Sequence, residues 1–208
     1  MGIPRDPRPD DVPWPEAQWP PPRELPGEGV SLAQFDPADA PELFAALDHD
    51  ACWAHVAGRP KSPEECGATL ARAPESGRWP WVVRVDGVVV GTSSFLDVSL
   101  GDARLEIGST AYSPAVWGTD VNPECKLLLM EWAFDHGFGR VQLKTDIRNL
   151  RSQRAIERLG AEYEGALRRY QRRADATVRD TVMFSVIAEE WPAVRQRLRG
   201  RLASTPLT

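Results

Sequence analysis

The chain has 208 residues, of which 42% are hydrophobic and 26% are charged, and this length and composition fit one globular domain with a tail. Its 25 Lys and Arg residues against 30 Asp and Glu residues give a net charge of −5, which argues against a general nucleic-acid or membrane-surface binder. Residues 1–139 hold 10 basic and 22 acidic residues, whereas residues 140–208 hold 15 and 8. An anionic ligand therefore favours the second half, and a cationic ligand favours the first.

The cysteines and the apolar segments indicate the compartment. Cys52, Cys66 and Cys125 lack the spacing of metal ligands or redox pairs, so we expect reduced thiols. No apolar segment before Val30 could serve as a signal-peptide core, and no later run is long enough to span a bilayer. We therefore expect a soluble, cytoplasmic protein that does not bind membranes.

Residues 1–29 form a proline-rich arm that contains nine of the 19 prolines, together with Trp14 and Trp19. Such a composition favours extended polyproline-like chain over helix or strand. Two interpretations stay open. The arm is disordered, or its tryptophans dock in an apolar groove of this chain or of a second copy.

After the arm, segments with the hydrophobic period of a helix alternate with segments that have the period of a strand. This pattern predicts a mixed α/β fold with one sheet over residues 30–202 and a tail at 203–208. We expect about seven mostly antiparallel strands flanked by helices. The predicted strands are 30–35, 79–85, 88–98, 104–112, 141–147, 161–171 and 177–187. The predicted helices are 37–47, 62–73, 122–134, 149–159 and one from 189 onward.

The loop Trp117-Gly118-Thr119-Asp120-Val121-Asn122 precedes the most apolar of these helices. Asn122 is a good N-cap, Pro123 suits the first helical position, and Glu124 places a carboxylate in the first turn. Free backbone N–H groups at such a helix start commonly bind phosphate. The alternative is an ordinary capped turn that binds nothing.

The segment Asp48-His49-Asp50, with Trp53 and His55 close by, holds possible metal or base residues. It lacks a complete ligand set at zinc spacing, so we expect no metal and favour a solvated helix end.

Three linked motifs carry a family resemblance. They are Leu105-Glu106-Ile107-Gly108 in the fourth predicted strand, Trp117-Gly118-Thr119 with Asn122, and Asn149, Ser152, Ala155-Ile156 and Leu159-Gly160. In this order and spacing they resemble the GNAT N-acetyltransferase superfamily, most closely its RimJ/RimL-like branch, over about residues 30–190.

The resemblance implies a sheet splayed at its centre, with acetyl-coenzyme A (acetyl-CoA) in the cleft as co-substrate and the loop 117–122 around its diphosphate. It also implies a homodimer, and direct attack on the thioester by a primary amine, either a protein N-terminus or a small molecule. The chain would be an N-acetyltransferase.

Site roles follow from the same resemblance, each beside a structural alternative. Glu106 would be the general base, or else a structural partner of a neighbouring group. Many members use a tyrosine as the general acid at the position where this chain has Ile156. Ser152 is therefore the candidate acid here. The alternative is that its hydroxyl only hydrogen-bonds within the first turn of its helix. Asn149 would bind the pantetheine arm or only cap its helix. Arg154 would meet the adenosine phosphate, as could Arg148 and Arg151, or lie on a solvated face.

Two further expectations concern the coenzyme and the acceptor. Asp120 replaces a family glycine; we expect a left-handed backbone there and, if the carboxylate faces the phosphates, tighter acetyl-CoA binding in Asp120→Gly. Trp53, His55 and Tyr112 would bind the acceptor, although Trp53 fits the core slightly better.

Two rival functions remain. Ile156 and Asp120 are compatible with a non-catalytic acyl-CoA-binding or assembly module. The basic final helix could bind nucleic acid, but the net acidity argues against nucleic acid as a partner.

Overall fold

The protein folds as one open sheet flanked by helices, in a computed structural model that describes residues 13, 15–173 and 175–204. The strands are β1 (Glu24–Pro26), β2 (Ser31–Gln34), β3 (Arg78–Val85), β4 (Val88–Ser99), β5 (Arg104–Tyr112), β6 (Arg140–Asp146), β7 (Glu162–Arg172) and β8 (Val178–Ile187). The helices are α1 (Ala40–Leu47), α2 (Asp50–Trp53), α3 (Pro63–Ala71), α4 (Val121–Asp135), α5 (Leu150–Leu159) and α6 (Trp191–Ser204). This confirms the mixed α/β class, with eight strands where about seven were expected.

The sheet has the spatial order β1-β2-β3-β4-β5-β6-β8-β7, and its only parallel pair among the described strands is β5 with β6. That pair is short: Arg104 lies opposite Arg140, and Glu106 opposite Gln142 at its end. β5 continues to Tyr112 without pairing to the described residues of β6. The sheet therefore opens directly after Glu106, which is the splay that the family resemblance implies.

Local sequence signals explain the element ends that frame this opening. Asp86 and Gly87 both have positive φ, 50° and 79°, as a tight hairpin between β3 and β4 requires. Ser62 caps α3 by accepting the Glu65 N–H at 3.2 Å. Capping and turn residues fix the backbone locally, so these boundaries follow from a few neighbouring residues.

Helix α4 is the central element, as its apolar sequence predicts. Cys125, Leu129, Met130 and Ala133 have no exposed surface and pack into the larger hydrophobic cluster of the protein. α1 and α3 cover the other face of the sheet, where Leu43 and Leu70 belong to a second cluster. No helix in the described part of the chain is both long and apolar enough to cross a membrane.

The described part of the arm lies against this domain. Trp19 makes edge contacts with Trp79 and Trp132, at ring-centroid distances of 4.8 and 5.7 Å. Gln18 donates its N–H to the carbonyl oxygen of His136 at 2.8 Å, and β1 adds the eighth strand beside β2. Of the two interpretations of the arm, docking on this chain therefore describes residues 15–26. Trp14 lies outside the described residues.

Candidate functional site

A cleft with a volume of about 850 Å³ lies where β5 and β6 part. Residues from β5, β6, α2, α5, the β7–β8 hairpin and the loop before α4 line it. Because β5 and β6 each leave part of their edge unpaired here, the cleft offers backbone hydrogen-bonding groups to a ligand. Each residue expected in the site can be located relative to this cleft.

The loop before α4 contributes four of its six residues to the cleft: Trp117, Gly118, Thr119 and Asn122. Gly118 has φ +79°, a left-handed conformation that glycine adopts without steric cost. Gly118, Thr119 and Asn122 therefore bring the positive N-terminal end of α4 to the cleft, as an anion site requires.

Helix α4 begins two residues earlier than expected, and the prediction of Asn122 as N-cap is wrong. Asp120 holds the N-cap position, and its carbonyl oxygen accepts the Glu124 N–H at 2.9 Å. The Thr119 hydroxyl accepts the Val121 N–H at 3.3 Å, which supports the earlier start. Pro123 lies inside the first turn, where its missing N–H removes no helical hydrogen bond. Val121 is buried in the core.

The carboxylate of Asp120 pairs with Arg201 of α6, and Asp120 is not among the residues that line the cleft. Its Oδ1 lies 3.1 Å from Arg201 Nη2. Its φ of −83° also contradicts the expected left-handed backbone; that conformation falls on Gly118 instead. The repulsion expected toward a diphosphate is reduced in this arrangement, because Arg201 compensates the negative charge of Asp120.

Trp117 is fixed at the mouth of the cleft by two contacts. Its indole N–H donates to the Tyr112 carbonyl oxygen at 2.9 Å, and the Arg151 guanidinium lies 3.7 Å above its ring centroid. The loop is thereby connected to both β5 and α5. A cation over an aromatic face at this distance is favourable.

Glu106 lines the cleft at the last position of β5 that pairs with β6, and only 2% of it is exposed. Lys144 Nζ is 2.7 Å from its Oε2, and Gln142 donates to the same oxygen at 3.4 Å. Burial raises the pKa of Glu106, although the Lys144 ammonium opposes that effect. The position suits a general base, since a raised pKa brings a carboxylate nearer to neutral pH, and the ion pair also gives Glu106 a structural partner.

The start of α5 forms another wall of the cleft with Asn149 and Ser152. Asn149 caps the helix, because its Oδ1 accepts the Ser152 N–H at 3.0 Å. Ser152 is half-buried. Ile156 is buried in the core and has no proton to donate.

The basic residues of α5 differ in whether they line the cleft. Arg154 is exposed and does not line the cleft, whereas Arg151 and Arg158 do. The cation expected for an adenosine phosphate is therefore better placed at Arg151 or Arg158.

The three residues expected to bind an acceptor lie in three different surroundings. His55 is exposed and lines the cleft. Trp53 instead lines a neighbouring smaller cavity and donates its indole N–H to the Leu47 carbonyl oxygen at 2.8 Å. Tyr112 lines the cleft with a side chain that is buried in the core.

Sequence reasoning missed Lys126, a buried lysine of α4 that lines the cleft and is 4% exposed. Its Nζ donates to Ser93 Oγ on β4 at 2.9 Å and to Thr110 Oγ1 on β5 at 2.7 Å. Burial lowers its pKa to about 8. The sequence feature that could have identified it is a single lysine in an otherwise apolar helical segment, because lysine is rarely buried unless its charge is paired.

Replacing Lys126 with Met is expected to change how stability depends on pH. Below pH 8 both the folded and the unfolded chain hold the proton, and the folded chain bears the cost of burying it, about 3 kcal/mol for a pKa lowered from 10.5 to about 8. Between pH 8 and 10.5 only the folded chain releases this proton, so the free energy of unfolding rises with pH. The Lys126→Met variant lacks that rise.

Urea denaturation of both proteins from pH 7 to 10 measures this effect. The difference between them removes the contribution of other groups that titrate in the same range. The hydrogen bond of 2.8 Å between the Ser93 and Thr110 hydroxyls is independent of Lys126 and leaves them paired in the variant. A difference that stays constant over this pH range would show that Lys126 has an ordinary pKa.

Among the described residues, no group of three or more His, Cys, Asp or Glu side chains is arranged to hold a metal ion. Asp48 and Asp50 of the segment considered above instead pair with Arg59. Surface carboxylates with such a partner are satisfied by the ion pair.

Comparisons with known proteins agree with this architecture. An N-acetyltransferase of the GCN5-related kind from Brucella melitensis superposes with a TM-score of 0.85 at 27% identity, over 92% of this chain and 90% of that one. A Thermus thermophilus protein assigned to the acetyltransferases gives 0.80 at 36% identity, over 89% and 100%. Mycobacterium smegmatis RimJ in complex with CoA-disulfide gives 0.71 at 21% identity, over 83% and 88%, and supports the fold alone.

A search of curated proteins found no match. The family model described as the acetyltransferase (GNAT) domain matches residues 30–162, which is more than half of the chain and includes β5, the loop before α4 and α5. With the open sheet and the cleft at its centre, this match shows the family: the chain belongs to the GNAT acetyltransferases.

Proposed function

We propose that this acetyltransferase moves an acetyl group from acetyl-CoA to a primary amine by direct attack, as a member of the RimJ/RimL-like branch. The observation that carries the proposal is the cleft at the β5–β6 opening. It joins a carboxylate with a raised pKa, Glu106, to a helix start that suits a diphosphate. The proposal includes that the protein acts in the cytoplasm and as a homodimer.

The residues of the cleft divide the chemistry among them. Glu106 would take the proton of the attacking ammonium, directly or through water. Backbone N–H groups at Gly108 to Thr110 would hold the developing oxyanion; Ser109 has φ +46°, so the backbone of β5 turns sharply there. The Ser152 hydroxyl would hydrogen-bond the departing sulfur.

The donors along the cleft fit acetyl-CoA. Gly118 and Thr119 precede the N-terminus of α4, and Arg151 and Arg158 give positive charge beside it. When bound, the coenzyme supplies the activated acetyl thioester. The side-chain amide of Asn149 would contact the pantetheine arm, since capping α5 uses only its oxygen atom.

Thiol release over a panel of small amines and peptide N-termini tests the proposal. We expect release above the rate of hydrolysis with at least one class of primary amine. Ser152→Ala is expected to reduce that rate while acetyl-CoA affinity is kept, because the proposed contact strengthens as charge builds on sulfur. If acetyl-CoA binds but no amine of the panel is turned over, the result would instead favour the non-catalytic binding module that Ile156 suggests.

Replacing Arg201 with Ala is expected to weaken acetyl-CoA affinity about 3- to 10-fold, the loss of one charge-assisted contact to phosphate. Arg201 lines the cleft and is held there by Asp120. Calorimetry at low and moderate salt measures the effect, which should shrink as salt increases.

Arg199→Ala is the matched control, because Arg199 lies on the same helix but pairs with Glu131 and does not line the cleft. Equal affinities of the Arg201 and Arg199 variants would place Arg201 outside the coenzyme site.

A further inference from the structure

A second cavity of about 230 Å³ lies beside the cleft, between α1, α3 and the sheet. We call it the side cavity. Its walls are mostly apolar and include Leu43, Leu47, Trp53 and Leu70. Ser109, Thr110 and Ala111 of β5 line both the side cavity and the cleft. The side cavity therefore adjoins the cleft along this segment of β5.

The side cavity contains one positive charge without a compensating carboxylate. Asp48, at its rim, is paired with Arg59 at 2.7 Å. Cys66 stays a neutral thiol, because burial raises its pKa. Arg78 donates its Nε–H to Ser94 Oγ at 3.0 Å, and no carboxylate of the described residues lies within ion-pair distance of it. A guanidinium in such apolar surroundings binds an anion strongly, because little water competes for it.

The strand register relates Arg78 to the proposed general base. Arg78 lies opposite Leu96 on β4, and Leu96 lies opposite Glu106 on β5. Residues directly opposite one another on neighbouring strands project from the same face of a sheet. Arg78 and Glu106 are thus on one face, two strand spacings or about 10 Å apart at the backbone. One small molecule can present its two ends to both side chains.

We propose that the side cavity and Arg78 select the acceptor: an amine with an apolar body and a carboxylate, about the size of an apolar dipeptide. Its carboxylate would bind Arg78, its apolar groups would fill the side cavity, and its amine would lie near Glu106. An extended dipeptide spans about 7 Å, which fits within the backbone separation of about 10 Å between Arg78 and Glu106. The inference rests on the proposed acetyl transfer, since the amine is placed for that reaction.

The first test compares kcat/KM for leucyl-phenylalanine with that for its C-terminal amide. We expect the wild type to prefer the free carboxylate at least 10-fold. In Arg78→Met this preference falls to within twofold, while the rate with the amide changes less than twofold. Equal rates with the two peptides in the wild type, or an undiminished preference in Arg78→Met, would overturn the proposal.

The second test measures binding without turnover and uses hexanoate, which has the carboxylate and the apolar chain but no amine. Titration followed by tryptophan fluorescence, to which Trp53 in the cavity wall contributes, should show at least 10-fold weaker binding to Arg78→Met than to the wild type. Arg78→Lys keeps the charge and should keep part of the affinity, which provides a variant if Arg78→Met does not fold. An affinity for hexanoate that is the same in the wild type and in the Arg78 variants would contradict the inference.

The two tests separate this inference from the proposed function. Absence of thiol release with every amine, together with hexanoate binding that depends on Arg78, would reject acetyl transfer and support the anion site. Thiol release from amines without preference for a carboxylate would support acetyl transfer and reject the assignment of Arg78.

Discussion

Glu106→Gln is expected to lower kcat/KM for acetyl transfer by about 100-fold or more, the range in which loss of a general base is usually measured. Gln has nearly the shape of Glu, so it can keep the contact with Gln142. Lys144 does not lose all compensation, because Asp97 Oδ2 also lies 3.6 Å from its Nζ. The fold should therefore persist, and the loss of rate would report the missing base.

The matched control is Glu164→Gln, which also removes a glutamate that is paired with a basic residue, Arg140. Glu164 does not line the cleft, so its variant should retain activity within about twofold, as substitutions away from a site usually do. A Glu106→Gln enzyme within threefold of the wild type would assign Glu106 to structure rather than to proton transfer.

The pH profile gives an independent readout for Glu106. The base works when it is deprotonated, so kcat/KM should fall on the acidic side of the pKa of Glu106. Burial raises that pKa while the Lys144 ammonium lowers it. Lys144→Met removes the opposing charge, and we expect the acidic limb of the profile to move to higher pH. An unmoved limb would mean that another group limits the rate at low pH.

Trp19→Ala is expected to lower the free energy of unfolding by about 2–3 kcal/mol, less than the roughly 3–5 kcal/mol typical of a fully buried tryptophan, because Trp19 is only half-buried. The loss comes from edge contacts with Trp79, Phe95 and Trp132, at ring-centroid distances between 4.8 and 6.1 Å. Urea denaturation measures it.

Trp19→Phe should recover about half of that loss, since a smaller ring keeps some of the edge contacts. Leu100→Ala is the surface control, because Leu100 is 46% exposed and its truncation should change stability by less than about 0.5 kcal/mol. A Trp19→Ala protein as stable as that control would mean that the ring contacts of Trp19 contribute nothing to stability.

Several parts of the site could be predicted because a few neighbouring residues decide them. Asn149 caps α5 three residues before its hydrogen-bond partner, and the Asp86-Gly87 turn sets the hairpin. The start of α4 was missed by two residues, since Thr119, Asp120 and Asn122 are all residue types that cap helices and Asp120 takes the position. Competition of this kind between nearby capping residues is not visible in a pattern of residue types.

The sequence by itself determined the order of the elements, the apolar character of the central helix and the family, because hydrophobic period, caps and linked motifs are local properties of the chain. The tertiary structure alone decided the charge pairs of the site. Glu106 meets Lys144 only when β5 and β6 align side by side, and Asp120 meets Arg201 across 81 residues. Such pairs depend on strand register and helix packing, which also place Arg78 and Glu106 on one face.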